Sequence, residues 1–192
     1  MSNQRAQGRK LAILAADGFE QVELTSPKEA IEAAGGETRI VSPEKGYIQG
    51  HNHRDQGDRF QVDLSVNEAN AQDFDALFIP GGLYSPDTLR TNEQAKQFVS
   101  DFFKQKKPVF AICHGPQVLI SANLVNGREV TGYKAIQQDL KNAGARVKDE
   151  AVVVDSGLVT SRSPDDLGQF NAKIVEEICE GKHARQRESV TA

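Results

Sequence analysis

The sequence has few cysteines, no excess of basic residues and no long apolar run. Only 2 of the 192 residues are cysteines, which excludes the disulfide framework of small secreted domains. Lys and Arg total 23 against 27 Asp and Glu. This balance argues against nucleic-acid binding by phosphate neutralisation and gives no reason to expect an anionic membrane as a partner. We therefore expect a reduced, mildly acidic cytoplasmic protein.

The N-terminal segment has no apolar core behind its charged residues, so we expect no secretory signal. The longest apolar run in this region, 11–16, is far shorter than the ~20 residues that span a membrane. A hydrophobic content of 38% fits a globular chain, and the length fits one domain. We predict a single domain over 1–192, with polar termini at about 1–9 and 182–192, the second of which should fray.

Short apolar runs alternate with helical patterns along the chain. Four runs indicate buried strands: 10–15, 38–41, 76–79 and 109–112. Residues 43–60 indicate an antiparallel excursion or a loop, followed by an alternating strand over 60–66.

Helix signals lie between these strands. A capping pattern at Ser26-Pro27 and another at Ser163-Pro164 predict helix starts. The remaining helices are expected at about 92–104, 115–122 and 135–143, with a hairpin around Ser156-Gly157. This order predicts an α/β fold: a doubly wound, mostly parallel sheet sandwiched by helices.

Three loops at predicted strand ends hold the candidate chemistry, at 17–23, 80–87 and 113–116. Ligands of doubly wound sheets bind outside the carboxyl ends of the strands. Cys113 stands between a buried strand and a helix start, a turn that exposes a nucleophile and favours a thiolate. His114 is a candidate base, and the flexible N–H groups of Gly81-Gly82 suit an oxyanion hole.

Simpler interpretations remain beside these. Cys113 could be a small apolar core residue, and His114 a partly exposed histidine at a helix start. Glu20 and Glu23 could be solvated acids near a helix start, an interpretation that fits Glu20 better than Glu23. Cys179 is expected to pack in the core.

A pair of histidines in the irregular segment is a weak metal candidate. His51 and His53 are too few for a metal site without further ligands, so we expect a solvated loop there. No metal or cofactor is predicted.

The run AICHGPQVLISA at 111–122, preceded by FDALFIPGG at 74–82, resembles the PfpI family of intracellular cysteine peptidases. This family belongs to the class I glutamine amidotransferase-like superfamily, with its flavodoxin-like fold, together with a parkinsonism-associated protein deglycase. Segments 17–24, 85–90 and 160–167 match at corresponding places, so the resemblance spans about 10–181. It implies Cys113 as nucleophile, His114 as its partner and Glu23 as the acid that contacts the sulfur.

The resemblance also implies an oxyanion site at Gly81, Gly82 and the His114 amide. In PfpI-type members an acid from a neighbouring subunit orients the histidine, and Asp87 holds the matching position here. The chain reads PGGLYSPD, one residue longer than is common, with Tyr84 where relatives often have a histidine. The resemblance therefore implies a homo-oligomer, and the extra residue bears directly on where Asp87 lies.

Two functions follow as expectations. The first is a stress-response cysteine hydrolase that acts as a peptidase or as a deglycase on methylglyoxal and glyoxal adducts. The second is a redox sensor or protective chaperone that uses an oxidisable Cys113 without turnover. Glutamine amidotransfer is disfavoured, because it needs a histidine–acid pair far downstream and His183 is the one later histidine beyond the motif.

Overall fold

A central sheet of seven strands organises the computed structural model, which describes residues 5–186. The strands of the chain are β1 (Lys10–Leu14), β2 (Phe19–Glu20), β3 (Glu37–Ser42), β4 (Tyr47–Asn52), β5 (Asp55–Gln61), β6 (Leu64–Ser65), β7 (Ala76–Ile79), β8 (Val109–Ile112), β9 (Glu129–Val130), β10 (Arg146–Val147), β11 (Val152–Asp155) and β12 (Leu158–Ser161). The helices are α1 (Gln21–Ala33), α2 (Tyr84–Thr91), α3 (Glu93–Lys104), α4 (Pro116–Ser121), α5 (Gln137–Asn142) and α6 (Leu167–Glu180).

The central sheet has the strand order β11-β12-β8-β7-β1-β3-β6. Every neighbouring pair is parallel except β11 with β12, the hairpin at Ser156-Gly157. From β1 the chain first builds outward through β3 and β6, and then returns to build β7, β8 and β12 on the other side. The predicted doubly wound sheet is confirmed, and its strand order reverses between β1 and β7.

Each face of the sheet has its own hydrophobic core, because successive side chains of a strand point to opposite faces. In β1, Leu11 and Ile13 belong to the core beneath α1 and α6, whereas Ala12 and Leu14 belong to the core beneath α3, α4 and α5. All four side chains are fully buried. A strand that is covered on both faces has a continuous apolar run in its sequence. The predicted bounds of β1, β7 and β8 therefore agree with the observed bounds to within one residue.

The first helix begins six residues earlier than its capping pattern predicts. α1 starts at Gln21, so Pro27 lies inside it, where a proline removes one backbone hydrogen bond. Ser26 caps nothing; its hydroxyl instead accepts a 2.7 Å hydrogen bond from the side chain of Asn171 on α6. Packing of α1 against α6 has overridden the local signal, and it places Glu23 in the first helical turn.

The irregular segment is an antiparallel excursion, one of the two predicted alternatives. β4 and β5 form a hairpin, and β2 adds to it in parallel to make a second sheet of three strands. The predicted strand over 60–66 is wrong, because β5 ends at Gln61 and β6 holds only Leu64–Ser65.

The C-terminal segment does not fray as predicted, as far as it is described. Gln186 is 2% exposed, accepts a 2.8 Å hydrogen bond from Arg128 and donates a 3.2 Å bond to the Lys107 carbonyl. Residues 187–192 lie outside the described part of the chain. Between residues 5 and 186, no helix is both long and apolar enough to cross a membrane.

Candidate functional site

Three loops meet at one point of the central sheet, just beyond the carboxyl ends of β1, β7 and β8. These strands are parallel neighbours, so their ends share one edge, next to the place where the strand order reverses. Such a switch point is where doubly wound sheets bind ligands. The loops bring together Cys113, His114, Glu23, Gly81 and Gly82.

Cys113 occupies a strained turn between β8 and α4. Its φ is +60°, in the left-handed region that side chains other than glycine rarely adopt. Its N–H donates to the Ser161 carbonyl at 3.0 Å, and its own carbonyl accepts from the Tyr133 N–H at 2.8 Å. These bonds fix the turn, and the thiol is 6% exposed. The geometry matches the nucleophile elbow that the strand-to-helix pattern predicts.

Gly115 makes the turn possible. A Cβ on this residue would lie 2.6 Å from the Ile79 carbonyl and 2.9 Å from that of Ile112. Only a glycine fits between these two strand ends, so the glycine that follows Cys113 and His114 is required for steric reasons.

Glu23 is the buried acid of the site, with no exposed surface. One carboxyl oxygen accepts a 2.9 Å hydrogen bond from the Gly81 N–H, and the carboxyl lies close enough to the Cys113 thiol for the two groups to affect each other's pKa. Burial raises the pKa of Glu23 to about 8, and the nearby charge of Glu20 adds to the increase. Glu23 therefore keeps its proton at neutral pH.

The second oxygen of Glu23 supports the protonated form. Oε1 is buried and accepts no hydrogen bond from any group among residues 5–186. An ionised carboxylate would leave this oxygen unpaired at a high cost. A protonated carboxyl can instead donate to the sulfur beside it.

The electrostatics of Cys113 are coupled to those of Glu23. Burial raises the pKa of the Cys113 thiol, and an ionised Glu23 would raise it further, while the N–H groups of Gly82 and His114 lower it. A protonated Glu23 removes the repulsion, so thiolate formation is easiest while Glu23 keeps its proton.

His114 lies beside the thiol although it is the next residue in the sequence. The sharp turn at Cys113 brings its Nδ1 to 3.3 Å from Sγ. Burial lowers the pKa of the imidazole, which favours the neutral ring that can accept a proton. The ring stacks on Tyr133, with centroids 4.8 Å apart, and this contact fixes its orientation.

The two glycines of the PGG turn differ in their contacts. The Gly81 N–H is already bonded to Glu23, and a Cβ at Gly81 would overlap the Glu23 carboxyl. The Gly82 N–H faces the Cys113 sulfur. Gly81 thus positions the acid, whereas the Gly82 N–H lowers the pKa of the Cys113 thiol.

Asp87 does not join this group within the chain. It lies exposed on α2 and is not among the residues that line the cavity at Cys113. Two residues earlier, Ser85 is fully buried and accepts a 2.9 Å hydrogen bond from the Ala16 N–H. Ser85 turns inward and Asp87 points outward, where another subunit could meet it.

A cavity of about 360 Å³ opens above Cys113 and His114. Two of its walls, Tyr84 and Pro164, lie in segments that the sequence analysis singles out. The others come from distant segments that the sequence does not assign to this site: His51, His53, Arg54, Tyr133 and Ala135. The predicted solvated loop is confirmed for His53, which is exposed at the hairpin turn, and is wrong for His51. His51 instead lies half-buried on β4, 5.7 Å from the ring of Tyr84.

The remaining candidates lie away from the cavity. Cys179 is half-buried on α6, and its sulfur bonds to the Arg5 carbonyl at 3.1 Å. His183 packs on Gly157, at the end of the strands opposite to Cys113. Its Nε2 atom lies 2.9 Å from Oε2 of Glu177. The ligand atoms of these two residues and of Glu180 lie within 4.8 Å of one another.

Comparisons with known proteins agree with this geometry. The family model described as DJ-1/PfpI family matches residues 9–177. A Bacillus subtilis relative named putative cysteine protease YraA is 48% identical over 163 residues, covering 85% of this chain and 94% of the relative. General stress protein 18 from the same organism is 48% identical over 167 residues, with the same coverage.

Solved structures of DJ-1/PfpI proteins are similar to this chain. A two-domain protein from Anabaena variabilis, with DJ-1/ThiJ/PfpI-like and ferritin-like domains, matches with a TM-score of 0.82 and 40% identity. The match covers 88% of this chain, which spans about half (47%) of that protein. Schizosaccharomyces pombe DJ-1 matches with a TM-score of 0.78 and 25% identity, covering 87% of this chain and 90% of the other.

Proposed function

The chain belongs to the DJ-1/PfpI family, and we propose that it is a cytoplasmic cysteine-dependent hydrolase of the PfpI type. In this proposal it acts in the stress response as a peptidase or as a deglycase of methylglyoxal and glyoxal adducts. The observation that carries the proposal is the strained turn that holds the Cys113 thiol between His114 and Glu23. The names of the two Bacillus relatives support a protease-type and a stress-related role.

The chemistry begins with transfer of the thiol proton of Cys113 to Nδ1 of His114. The sulfur then attacks a substrate carbonyl carbon, and the π electron pair moves to the oxygen. The Gly82 and His114 N–H groups stabilise the oxyanion. The electron pair on the oxygen then re-forms the C=O bond, the bond from this carbon to the amine or thiol breaks, and His114 gives its proton to that leaving group. Water then attacks the same carbonyl carbon, and the bond to Sγ breaks, which releases the acid and regenerates the thiol. Glu23 remains neutral and donates to sulfur whenever it carries negative charge.

The cavity volume favours small or extended substrates over folded proteins. Both substrate groups share the attack on a carbonyl, so one experiment covers both. Hydrolysis of a fluorogenic peptide and of a methylglyoxal–amine adduct is measured for wild type and for Cys113→Ala. We expect Cys113→Ala to lose at least ~100-fold in kcat/KM on whichever substrate is turned over. The control Cys179→Ala should keep wild-type rates, and unchanged rates in Cys113→Ala would refute the proposal.

We further propose that Asp87 orients His114 across a homo-oligomer interface. Its exposed position on α2, together with the exposed side chains of Leu83, Tyr84 and Tyr133 at the cavity mouth, supports this assignment. Mixing two inactive variants, Cys113→Ala and Asp87→Ala, should restore partial activity, because a mixed oligomer contains one complete site. An Asp87→Ala variant with full activity would contradict it.

The contact between Glu23 and Cys113 also supports a second candidate, redox sensing. Two equivalents of peroxide would oxidise the thiolate to a sulfinate and release two of water, and a protonated Glu23 could donate to a sulfinate oxygen. Mass spectrometry after mild peroxide treatment should then show a two-oxygen gain on Cys113 that Glu23→Leu abolishes. Equal oxidation of Cys179 would argue against a sensor.

A further inference from the structure

The β4–β5 hairpin forms one wall of the cavity above Cys113. Its tip contributes His53 and Arg54, and β4 contributes His51. The other walls are largely apolar or aromatic, with Tyr84 and Tyr133 facing the opening. The hairpin therefore contributes basic side chains to the wall of the cavity above Cys113.

Side chains from the loop after β1 and the start of α1 fix the hairpin in this place. Asp17 accepts a 2.7 Å hydrogen bond from the Gln49 N–H, and Gln21 accepts one of the same length from the Asp58 N–H. The Glu20 carboxylate accepts from the His53 N–H at 3.1 Å. The hairpin thus has anchors on both strands and at its tip.

The tip of the hairpin is also strained. His53 has a φ of +57°, which costs a residue other than glycine of the order of 1 kcal/mol. The bond to Glu20 stabilises this conformation, and Glu20 directly precedes the helix α1, which carries Glu23. The anchored tip holds Arg54, an exposed residue, at the wall of the cavity.

The charge at Arg54 has no counter-ion within the described chain. Between residues 5 and 186 no carboxylate lies within ion-pair distance of this guanidinium. The two acids that line the same cavity are otherwise engaged: Glu20 bonds to His53, and Glu23 is buried and bonded to Gly81. A guanidinium of this kind, at the rim of a partly apolar cavity, is a site for an anionic group of a ligand.

We propose that this cavity selects small carbonyl compounds and electrophiles that carry a carboxylate next to the reacting carbon, with Arg54 as the specificity-determining residue. The inference rests on the proposed function, because the electrophile reacts with the Cys113 sulfur. With a 2-oxo acid, the bond between Sγ and the carbonyl carbon forms and the π pair moves to oxygen. That oxygen takes the former thiol proton from His114, while the carboxylate pairs with Arg54.

A matched pair of thiol reagents tests the inference without any need for turnover. Iodoacetate carries a carboxylate next to the reacting carbon, and iodoacetamide has a neutral amide there. In both, the Sγ–C bond forms and iodide leaves. The second-order rate constants for Cys113 are measured by peptide mass spectrometry, in variants that also contain Cys179→Ser.

The quantity compared is the iodoacetate-to-iodoacetamide ratio of rate constants. We expect Arg54→Gln to lower this ratio about 10-fold at low salt, and Arg54→Lys to retain part of the preference because it keeps the charge. Added salt should reduce the wild-type ratio. The control is Arg59→Gln, on the same hairpin, whose guanidinium lies 5.0 Å from the Tyr47 ring and outside the cavity. This variant changes the net charge equally and should leave the ratio unchanged.

The outcomes distinguish a failure of the inference about Arg54 from a failure of the proposed function. Modification of Cys113 with the same ratio in wild type and Arg54→Gln overturns the inference and leaves the proposed function standing. An equal decrease in Arg59→Gln also overturns it, because the effect would then be one of overall charge. Failure of both reagents to modify Cys113 overturns the proposed function and the inference with it.

Discussion

Glu23 is the residue whose protonation state decides what the thiol can do. Burial raises its pKa to about 8, so over most of the physiological range it keeps its proton beside the sulfur. Above that pH it becomes a second negative charge beside a thiolate. The same side chain therefore assists the thiolate at neutral pH and opposes it in alkaline solution.

This raised pKa makes a prediction about stability. A carboxyl with a raised pKa binds its proton more tightly in the folded chain, so the stability that this proton contributes is complete below pH 4.5 and is lost as pH rises through about 8. Glu23→Gln is neutral at every pH. The melting temperature of the variant minus that of wild type should rise by roughly 5 °C between pH 5 and pH 9.

Thermal unfolding at several pH values measures this difference. The control is Glu29→Gln, an exposed position on the same helix, which should give a flat difference. A flat or decreasing difference for Glu23→Gln would show that the Glu23 proton is not held by burial.

At this scale the sequence indicates Cys113 but not its full environment. The strand end before Cys113 and the glycine after His114 are local features, so the turn can be predicted from the residues. Tyr133, which stacks on His114, comes from a segment without a motif. Its role depends on a backbone bond to Cys113 that appears only in the folded chain.

At the scale of elements, one hydroxyl joins α2 to the end of β1. Ser85 and Ala16 are both fully buried, and their 2.9 Å hydrogen bond crosses the site region. Because Ser85 starts the SPD segment, the bond also sets where the exposed Asp87 lies.

Ser85→Ala should therefore leave the Ala16 N–H buried without a partner. We expect a loss of about 1–3 kcal/mol in the free energy of unfolding, measured by guanidinium titration. The control is Ser100→Ala, a half-buried hydroxyl that bonds to the Lys96 carbonyl within α3, which should change stability by less than about 0.5 kcal/mol. A similarly small effect of Ser85→Ala would show that the bond is not needed.

The elements that could be predicted from the sequence are those whose residues are all buried. β7 and β8 are buried on both faces, so four apolar residues and a flanking turn define each of them. The start of α1 could not be predicted, because contacts with α6 decide it against the Ser26-Pro27 signal. α2 was missed because its eight residues follow two glycines and look like a loop.

At the scale of the whole molecule, the described part of the C-terminal segment packs at the end of the strands opposite to the site. Gln186 connects the Arg128 side chain to the Lys107 carbonyl, between loops that are far apart in sequence. A polar composition predicted fraying, and it could not reveal that one amide would find two buried partners.

Gln186→Ala should remove both bonds and lower the free energy of unfolding by about 1–3 kcal/mol, without changing the rate of Cys113 alkylation. Chemical denaturation and iodoacetamide kinetics measure the two quantities. The control Gln138→Ala removes an exposed amide on α5 that bonds to Asn142 and should be nearly neutral. A loss of Cys113 reactivity in Gln186→Ala would show that the two ends of the strands are coupled.

The central claim is that turnover passes through a covalent intermediate on Cys113. The most direct measurement is mass spectrometry of the protein after rapid quenching during hydrolysis of a substrate in excess. The account predicts a substrate-derived mass on the peptide that contains Cys113, which disappears when the substrate is exhausted and leaves a free thiol. Product formation without any adduct on Cys113, or with equal rates in Cys113→Ala, would contradict it.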